Sequence, residues 1–200
     1  MASSVPDFQL LVPDRYIEIP WKNGEGFTRD IFLFPEDSDH DSFDVRISLA
    51  PITRNGPFSS FPGIERTITR LSTNSLALVF DDGRTVPLAR LEPVTFDSVL
   101  APRSVLGEGS AEVINIMTRR GRWSAHVRVL SGPFEDNPAP PDGSLVLVYA
   151  VKGSWLATGP AARADIGPNE TLLARNTAGF HLRGDAGAEA LFAILTPAAG

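Results

Sequence analysis

Seventeen glycines and seventeen prolines are spread along all 200 residues of this chain, and their scatter limits what it can fold into more than any other feature. Glycine frees the backbone at turns, while proline lacks the N–H that a helix interior or a central strand needs. Few stretches between these breakers reach the ~10–12 residues of an ordinary helix, so the chain reads as a succession of short strands. Asp44-Val45-Arg46-Ile47-Ser48-Leu49-Ala50 alternates polar and apolar, which puts Val45, Ile47 and Leu49 on one sheet face and Arg46 and Ser48 on the other. Residues 76–80, an Asp81-Asp82-Gly83-Arg84 turn and residues 85–88 read as a hairpin. Further strands are expected at 64–71, 94–96, 113–119 and 124–130, then again at 145–151, 154–158, 171–174 and 191–195.

Residues 131–143 are too rich in proline, glycine and acid to be expected inside a sheet. Read as a linker, they divide the chain into a larger part, 1–130, and a smaller one, 144–200, which strands from the N-terminal part would complete. A faint internal echo relates residues 88–96 to residues 162–172 and suggests two related halves. The strand spacing alone suits a β-sandwich, a jelly roll or a closed barrel equally well.

Composition narrows the function. Hydrophobic residues make up 42% and charged residues 21% of the chain, as in an ordinary globular domain. A formal net charge of -6 opposes sequence-independent binding to nucleic acid or to anionic lipid. The absence of cysteine removes disulfides, thiolate metal sites and cysteine nucleophiles. With no export signal and no apolar run near the roughly 20 residues that cross a bilayer, a soluble cytoplasmic protein is expected.

Three segments are dense enough in polar and aromatic groups to carry chemistry. Pro20-Trp21-Lys22-Asn23-Gly24-Glu25-Gly26-Phe27-Thr28-Arg29-Asp30 combines cations, an amide and glycines that let a backbone approach a ligand. It lacks the glycine pattern of a dinucleotide loop or a P-loop, and its plain alternative is a strand connection with a packed Trp. Asn55-Gly56-Pro57-Phe58-Ser59-Ser60-Phe61-Pro62-Gly63-Ile64-Glu65-Arg66 places two phenylalanines before an arginine whose planar fork suits a carboxylate. Its plain alternative is a loop pinned by the two rings, with Arg66 paired to an acid. In the third, 114–123, alternation sets Asn115, Met117 and Arg119 on one face, a mixture better suited to a polar ligand than to a dry core. Arg120 and Arg122 are expected to be solvated.

Only His40, His126 and His181 are available as imidazole ligands, without ligand spacing, so neither a metal nor any other cofactor is expected. The acidic run 36–41 lacks the central Gly and terminal Glu of an EF-hand. No Gly-x-Ser-x-Gly elbow is present. Glu25, Asp44 and Glu65 remain open as acid/base groups, though nothing singles them out.

The order Trp-Lys-Asn-Gly-x-Gly-x-Thr-Arg (21–29), Arg-Ile-Ser-x-Ala (46–50), Gly-Pro-Phe-Ser-x-Phe-Pro-Gly-Ile-x-Arg (56–66) and Asn-x-Met-x-Arg-Arg-Gly (115–121) resembles the HutD/Ves proteins. The resemblance implies an all-β double cupin of two jelly-roll-like barrels and an accessory role connected with histidine utilisation, with no established enzymatic activity. It implies a ligand site for a small acid in the first barrel, carried over to Trp21, Lys22, Asn23, Thr28, Arg29, Arg46, Ser48, Phe61, Arg66, Asn115 and Met117. The chain departs from the family pattern at several positions: Glu25 stands where a glycine is usual, Val45 where Trp is frequent, Val113 where an acid is usual, Thr73-Asn74-Ser75 where a Gly-x-Gly turn is usual, and Ser98 where Phe-Asp-Gly would end.

The expectation is therefore a metal-free protein that binds a small carboxylate metabolite, either as a monomer or as a homodimer. The alternatives are a metal-free cupin isomerase or hydrolase acting on a small acid, and a protein–protein module built on the aromatic loop at 58–61.

Overall fold

A computed structural model describes residues 7–20, 26–175 and 178–198. Among them the only helical segments are two 3-10 turns, η1 (Pro13–Arg15) and η2 (Ser98–Leu100); everything else regular is strand. No helix among them is long and apolar enough to cross a membrane.

The first described strand is β1 (Phe8–Leu11), and a compact unit spanning Tyr16–Ser124 follows it. That unit contains β2 (Ile17–Pro20), β3 (Phe27–Phe34), β4 (Val45–Ile52), β5 (Gly56–Pro57), β6 (Ile64–Arg70), β7 (Leu76–Val79), β8 (Thr85–Pro87), β9 (Val94–Asp97), β10 (Arg103–Leu106) and β11 (Ala111–Arg119). They form a six-stranded sheet, β2-β3-β4-β11-β6-β9, and a four-stranded sheet, β5-β10-β7-β8, with neighbours antiparallel. Neither sheet closes on itself.

Ala50, Ile52, Ile68, Ala111 and Val113 from the larger sheet pack with Leu76 and Leu78 from the smaller to make the core between them. Phe80 meets Phe96 edge-on in the same core, with ring centroids 5.7 Å apart. The hairpin expected at 76–88 is β7–β8, with Ala77 opposite Pro87 and Val79 opposite Thr85. The alternation read at 44–50 is the real pattern of β4, although both of its faces are buried.

The second unit takes in 1–15 and 125–200, so β1 belongs to it. Its strands are β12 (Trp123–Ser131), whose first two residues lie in the other unit, β13 (Phe134–Asp136), β14 (Leu145–Lys152), β15 (Trp155–Thr158), β16 (Arg163–Ile166), β17 (Thr171–Ala174), β18 (His181–Gly184) and β19 (Glu189–Pro197). Here the sheets run β1-β17-β14-β19-β12 and β13-β18-β15-β16. Trp155, Phe180 and Phe192 fill the core with Val146, Val148 and Leu172. Residues 131–143, expected to stay outside any sheet, contain β13, which pairs with β18. This strand is three residues long, ends before the run of prolines and lies at a sheet edge, where only one side must hydrogen-bond.

The two units share one strand order. In the first, β4-β11-β6-β9 accompanies β5-β10-β7-β8; in the second, β12-β19-β14-β17 accompanies β13-β18-β15-β16, each strand eight later in the chain. The faint sequence echo falls on the turns that lead into the equivalent strands β9 and β17. Each of those turns holds a non-glycine residue at positive φ, Leu91 (58°) in one and Asn169 (66°) in the other.

Candidate functional site

The inner face of the six-stranded sheet is apolar where it meets β7 and turns polar toward its other end. Register places Arg46 on β4 beside Met117 on β11, Met117 beside Arg66 on β6, and Arg66 beside Phe96 on β9. The next row holds Asp30 on β3, Ser48, Asn115 and Ile68. Side chains directly across such a ladder stand about 4.5–5.5 Å apart at Cβ, so these two rows form one cluster.

Asp30 enters this cluster through a local irregularity. A bulge between Asp30 and Phe32 leaves Ile31 as the extra residue, so Asp30 faces Ser48 while Phe32 shifts to face Ile47. Both Nε–H and Nη2–H of Arg46 donate to Asp30 Oδ1, at 2.9 and 2.7 Å. The other carboxylate oxygen, Oδ2, lies 2.7 Å from His40 Nε2. Arg46 and Asp30 are buried, whereas a third of the His40 side chain reaches solvent. The Arg46 charge is thus matched by a carboxylate that His40 braces from outside.

Among the described residues Arg66 has no such partner. Only 4% of it is exposed; Nη2 donates to the Ser59 carbonyl at 3.1 Å and the buried Nε–H meets no acceptor. Its guanidinium carbon lies 5.5 Å from the ring centres of Phe58 and Phe61 and 5.9 Å from that of Phe96. Arg46 approaches the same Phe61 ring, at 5.9 Å. Burial, reinforced by the nearby charge of Arg46, pushes the Arg66 guanidinium down to about 9. Cation–π contacts of about 0.5–2 kcal/mol each compensate only part of the cost of burying an unpaired charge.

A second polar atom here is unmatched: Asn115 Oδ1 is buried and accepts no hydrogen bond from the described residues. Met117, 1% exposed, packs with Phe43 and Ile64, and Phe61 and Leu33 lean on that group.

Of the residues expected at the site, Arg46, Ser48, Phe61, Arg66, Asn115 and Met117 share this face. Thr28 lies on β3 two residues before Asp30, on the same side of the strand. Arg29 points the other way and donates from Nη2 to Glu112 Oε1 at 2.6 Å, both side chains about one-third exposed. Trp21, Lys22 and Asn23 lie outside the described residues, as does Glu25. Arg119 leaves the face at the strand end, where it and Arg122 hold Asp44, each at 3.2 Å; Asp44 is therefore committed to ion pairs. Arg120, expected to be solvated, pairs with Asp97 at 2.7 Å while staying half exposed. Val113 stands across from Arg70, which donates to the carbonyls of Leu88, Ser72 and Asn74.

Sequence reasoning passed over Asp30, His40 and Phe96. His40 stands in the acidic run 36–41 without ligand spacing, and the bulge beside Asp30 breaks the alternation that would have placed its carboxylate on the inner face. Among the described residues no group of three or more His, Asp or Glu gathers as a metal site would require. The arrangement offers a desolvated cation with a free N–H, an acceptor beside it and aromatic walls. These are features of anion recognition rather than of a nucleophile.

The sequence model of the HutD family matches residues 14–192. A Ves protein from Citrobacter koseri is 38% identical over 148 residues, 74% of this chain and 74% of that one. The chain belongs to the HutD family. Two solved structures extend the likeness of this HutD-family fold. A conserved protein of unknown function from Pseudomonas aeruginosa PAO1 superposes with a TM-score of 0.84 at 22% identity, covering 95% of this chain and 99% of the other. HutD from Pseudomonas fluorescens SBW25 gives 0.79 at 24% identity, covering 96% and 100%. More distant structural neighbours are cupin-like.

In this HutD-family chain the two units differ in what they enclose. At the positions equivalent to Arg66 and its neighbours, the second unit presents Val146, Val148, Leu172, Ala174 and Phe192, all apolar and buried. The same strand order thus carries polar side chains at these positions in one unit and apolar ones in the other.

Proposed function

We propose that this protein is a double cupin and an accessory protein that binds a small carboxylate at Arg66, of the kind met in histidine catabolism. The observation that carries the binding assignment is the buried Arg66 guanidinium, which among the described residues has no carboxylate partner and a free Nε–H. A carboxylate would receive that donor with charge-assisted strength and offset the burial of an isolated cation. The double cupin is supported by the eight-strand order repeated in the two units and by the cupin-like neighbours. The link to histidine catabolism is supported by family membership.

An interface built on the aromatic loop is disfavoured, because Phe58 and Phe61 are half-buried and turn their rings toward Arg66.

The test is thermal unfolding with millimolar small acids, including formate, urocanate and formylated glutamate. A ligand at about 100 times its Kd stabilises the native state by about 2.7 kcal/mol. A rise in Tm with at least one acid is expected in the wild type and none in Arg66→Ala. No shift with any acid overturns the proposal.

A further inference from the structure

We infer that the ligand of this site is a singly charged carboxylate with a flat apolar body that bears one N–H or O–H donor. The inference rests on the carboxylate reading above and deepens it.

The first argument is a count of charge. Arg46 and Asp30 neutralise one another through two hydrogen bonds to one oxygen, and the second oxygen is occupied by His40. Arg66 remains as the cation of this cluster without a carboxylate among the described residues. One ligand carboxylate would complete that balance. A second, buried among the same groups, would be a desolvated anion without a partner, which is strongly unfavourable.

Next come the walls. Phe58, Phe61 and Phe96 surround the guanidinium, with ring centres 5.5–5.9 Å from its central carbon. A carboxylate meeting the Nε–H lies near the guanidinium plane, and the part of the ligand behind it then runs along aromatic carbon. A flat hydrocarbon or heteroaromatic body gains from that contact, while a branched polar one loses hydration without compensation.

The third is Asn115. Its Oδ1 is a buried acceptor without a donor, and it sits on β11 diagonally across the ladder from Arg66 on β6. Diagonal ladder neighbours are about 7–8 Å apart, a span that one small ring can bridge between a carboxylate and a donor. A ligand N–H or O–H would satisfy the atom, whereas an acceptor in that place would face another acceptor.

Isothermal titration of the full chain at pH 7.5 separates these arguments, with four probes that are fully ionised there: pyrrole-2-carboxylate, the near-isosteric furan-2-carboxylate, pyrrole-2,5-dicarboxylate and formate. The pyrrole monoacid is expected to bind about five- to tenfold more tightly than the furan acid, the ratio one hydrogen bond to a buried acceptor supplies. The diacid is expected to bind at least about tenfold more weakly than the pyrrole monoacid. Asn115→Leu should bring the two monoacids to within about twofold of each other while leaving the furan acid bound. Equal or tighter binding of the diacid overturns the single charge. Equal or tighter binding of the furan acid to the wild type overturns the donor. Binding of formate but of neither ring acid overturns the flat body and leaves the carboxylate site standing. Binding of no probe at all removes the carboxylate site itself.

Discussion

Arg46 and Arg66 share the Phe61 ring, with guanidinium carbons 5.9 and 5.5 Å from its centre, yet only Arg46 is paired with a carboxylate. The two arginines are also register neighbours of the same Met117. The charge balance of the two thus differs by one residue, Asp30, and that difference sets what each substitution should do.

Arg66→Met is expected to stabilise the ligand-free protein. It replaces an unpaired buried cation by an apolar side chain of similar length, a change of about 1–4 kcal/mol in favour of folding where buried charges have been replaced in this way. A rise in Tm of several degrees without ligand, together with the loss of every carboxylate-induced shift, is the expected pair of results in thermal melts. A lower Tm would show that Arg66 holds the loop at Ser59 more than it costs.

Asp30→Asn is expected to act in the opposite direction. It leaves Arg46 buried without its charge partner, which typically costs about 3–5 kcal/mol. Combining it with Arg46→Met should recover most of the loss, and urea unfolding of the two single variants and the double variant measures the coupling. Additive losses would mean that the pair is not energetically linked.

Gly132→Ala is expected to damage the second unit severely. A Cβ there would fall 1.9 Å from the Asp185 carbonyl oxygen, which is backbone and is held between Gly184 and the turn to Ala188. The cost should be about 3 kcal/mol or more. Gly56→Ala is the control, since a Cβ there meets nothing within 4 Å, and it should change stability by under about 0.5 kcal/mol in the same chemical denaturation.

Asp97 supplies an acid-sensitive contribution close to Phe96. Its carboxyl is held below the ordinary aspartate range by the Arg120 side chain first and the Val99 N–H second, and it caps η2. A depressed folded-state value means that the unfolded chain binds the proton more readily, so the contribution is complete above pH ~4 and is lost as pH falls below that. Asp97→Asn should therefore be less stable than the wild type at pH 7 and converge with it under acid. Melts at pH 7, 4 and 3 follow the convergence, and a constant difference would refute it.

The legible part of the fold was the part that obeys a period. Val45, Ile47 and Leu49 against Arg46 and Ser48, the 76–88 hairpin, and Asn115 with Met117 all sit where two-residue alternation puts them. β3 escaped because Asp30, Ile31 and Phe32 are buried in succession around its bulge, on a strand whose two faces are both covered there, and no alternation survives that. β13 escaped because proline density argues against a central strand but says little about a three-residue edge. Arg29 was grouped with Thr28 because they are adjacent in the motif, yet adjacent residues of a strand face opposite ways, and Glu112 takes it.

By itself the sequence determined the all-β grammar, through glycine and proline spacing. It also determined family membership and the set of polar residues that a core would not otherwise hold. Which arginine is neutral in effect and which stands open was decided only in three dimensions. Asp30 lies 16 residues from Arg46, and the bulge that joins them depends on β3 pairing with β4. Charge balance in a buried cluster is a property of through-space distance, and neighbours along the chain do not report it.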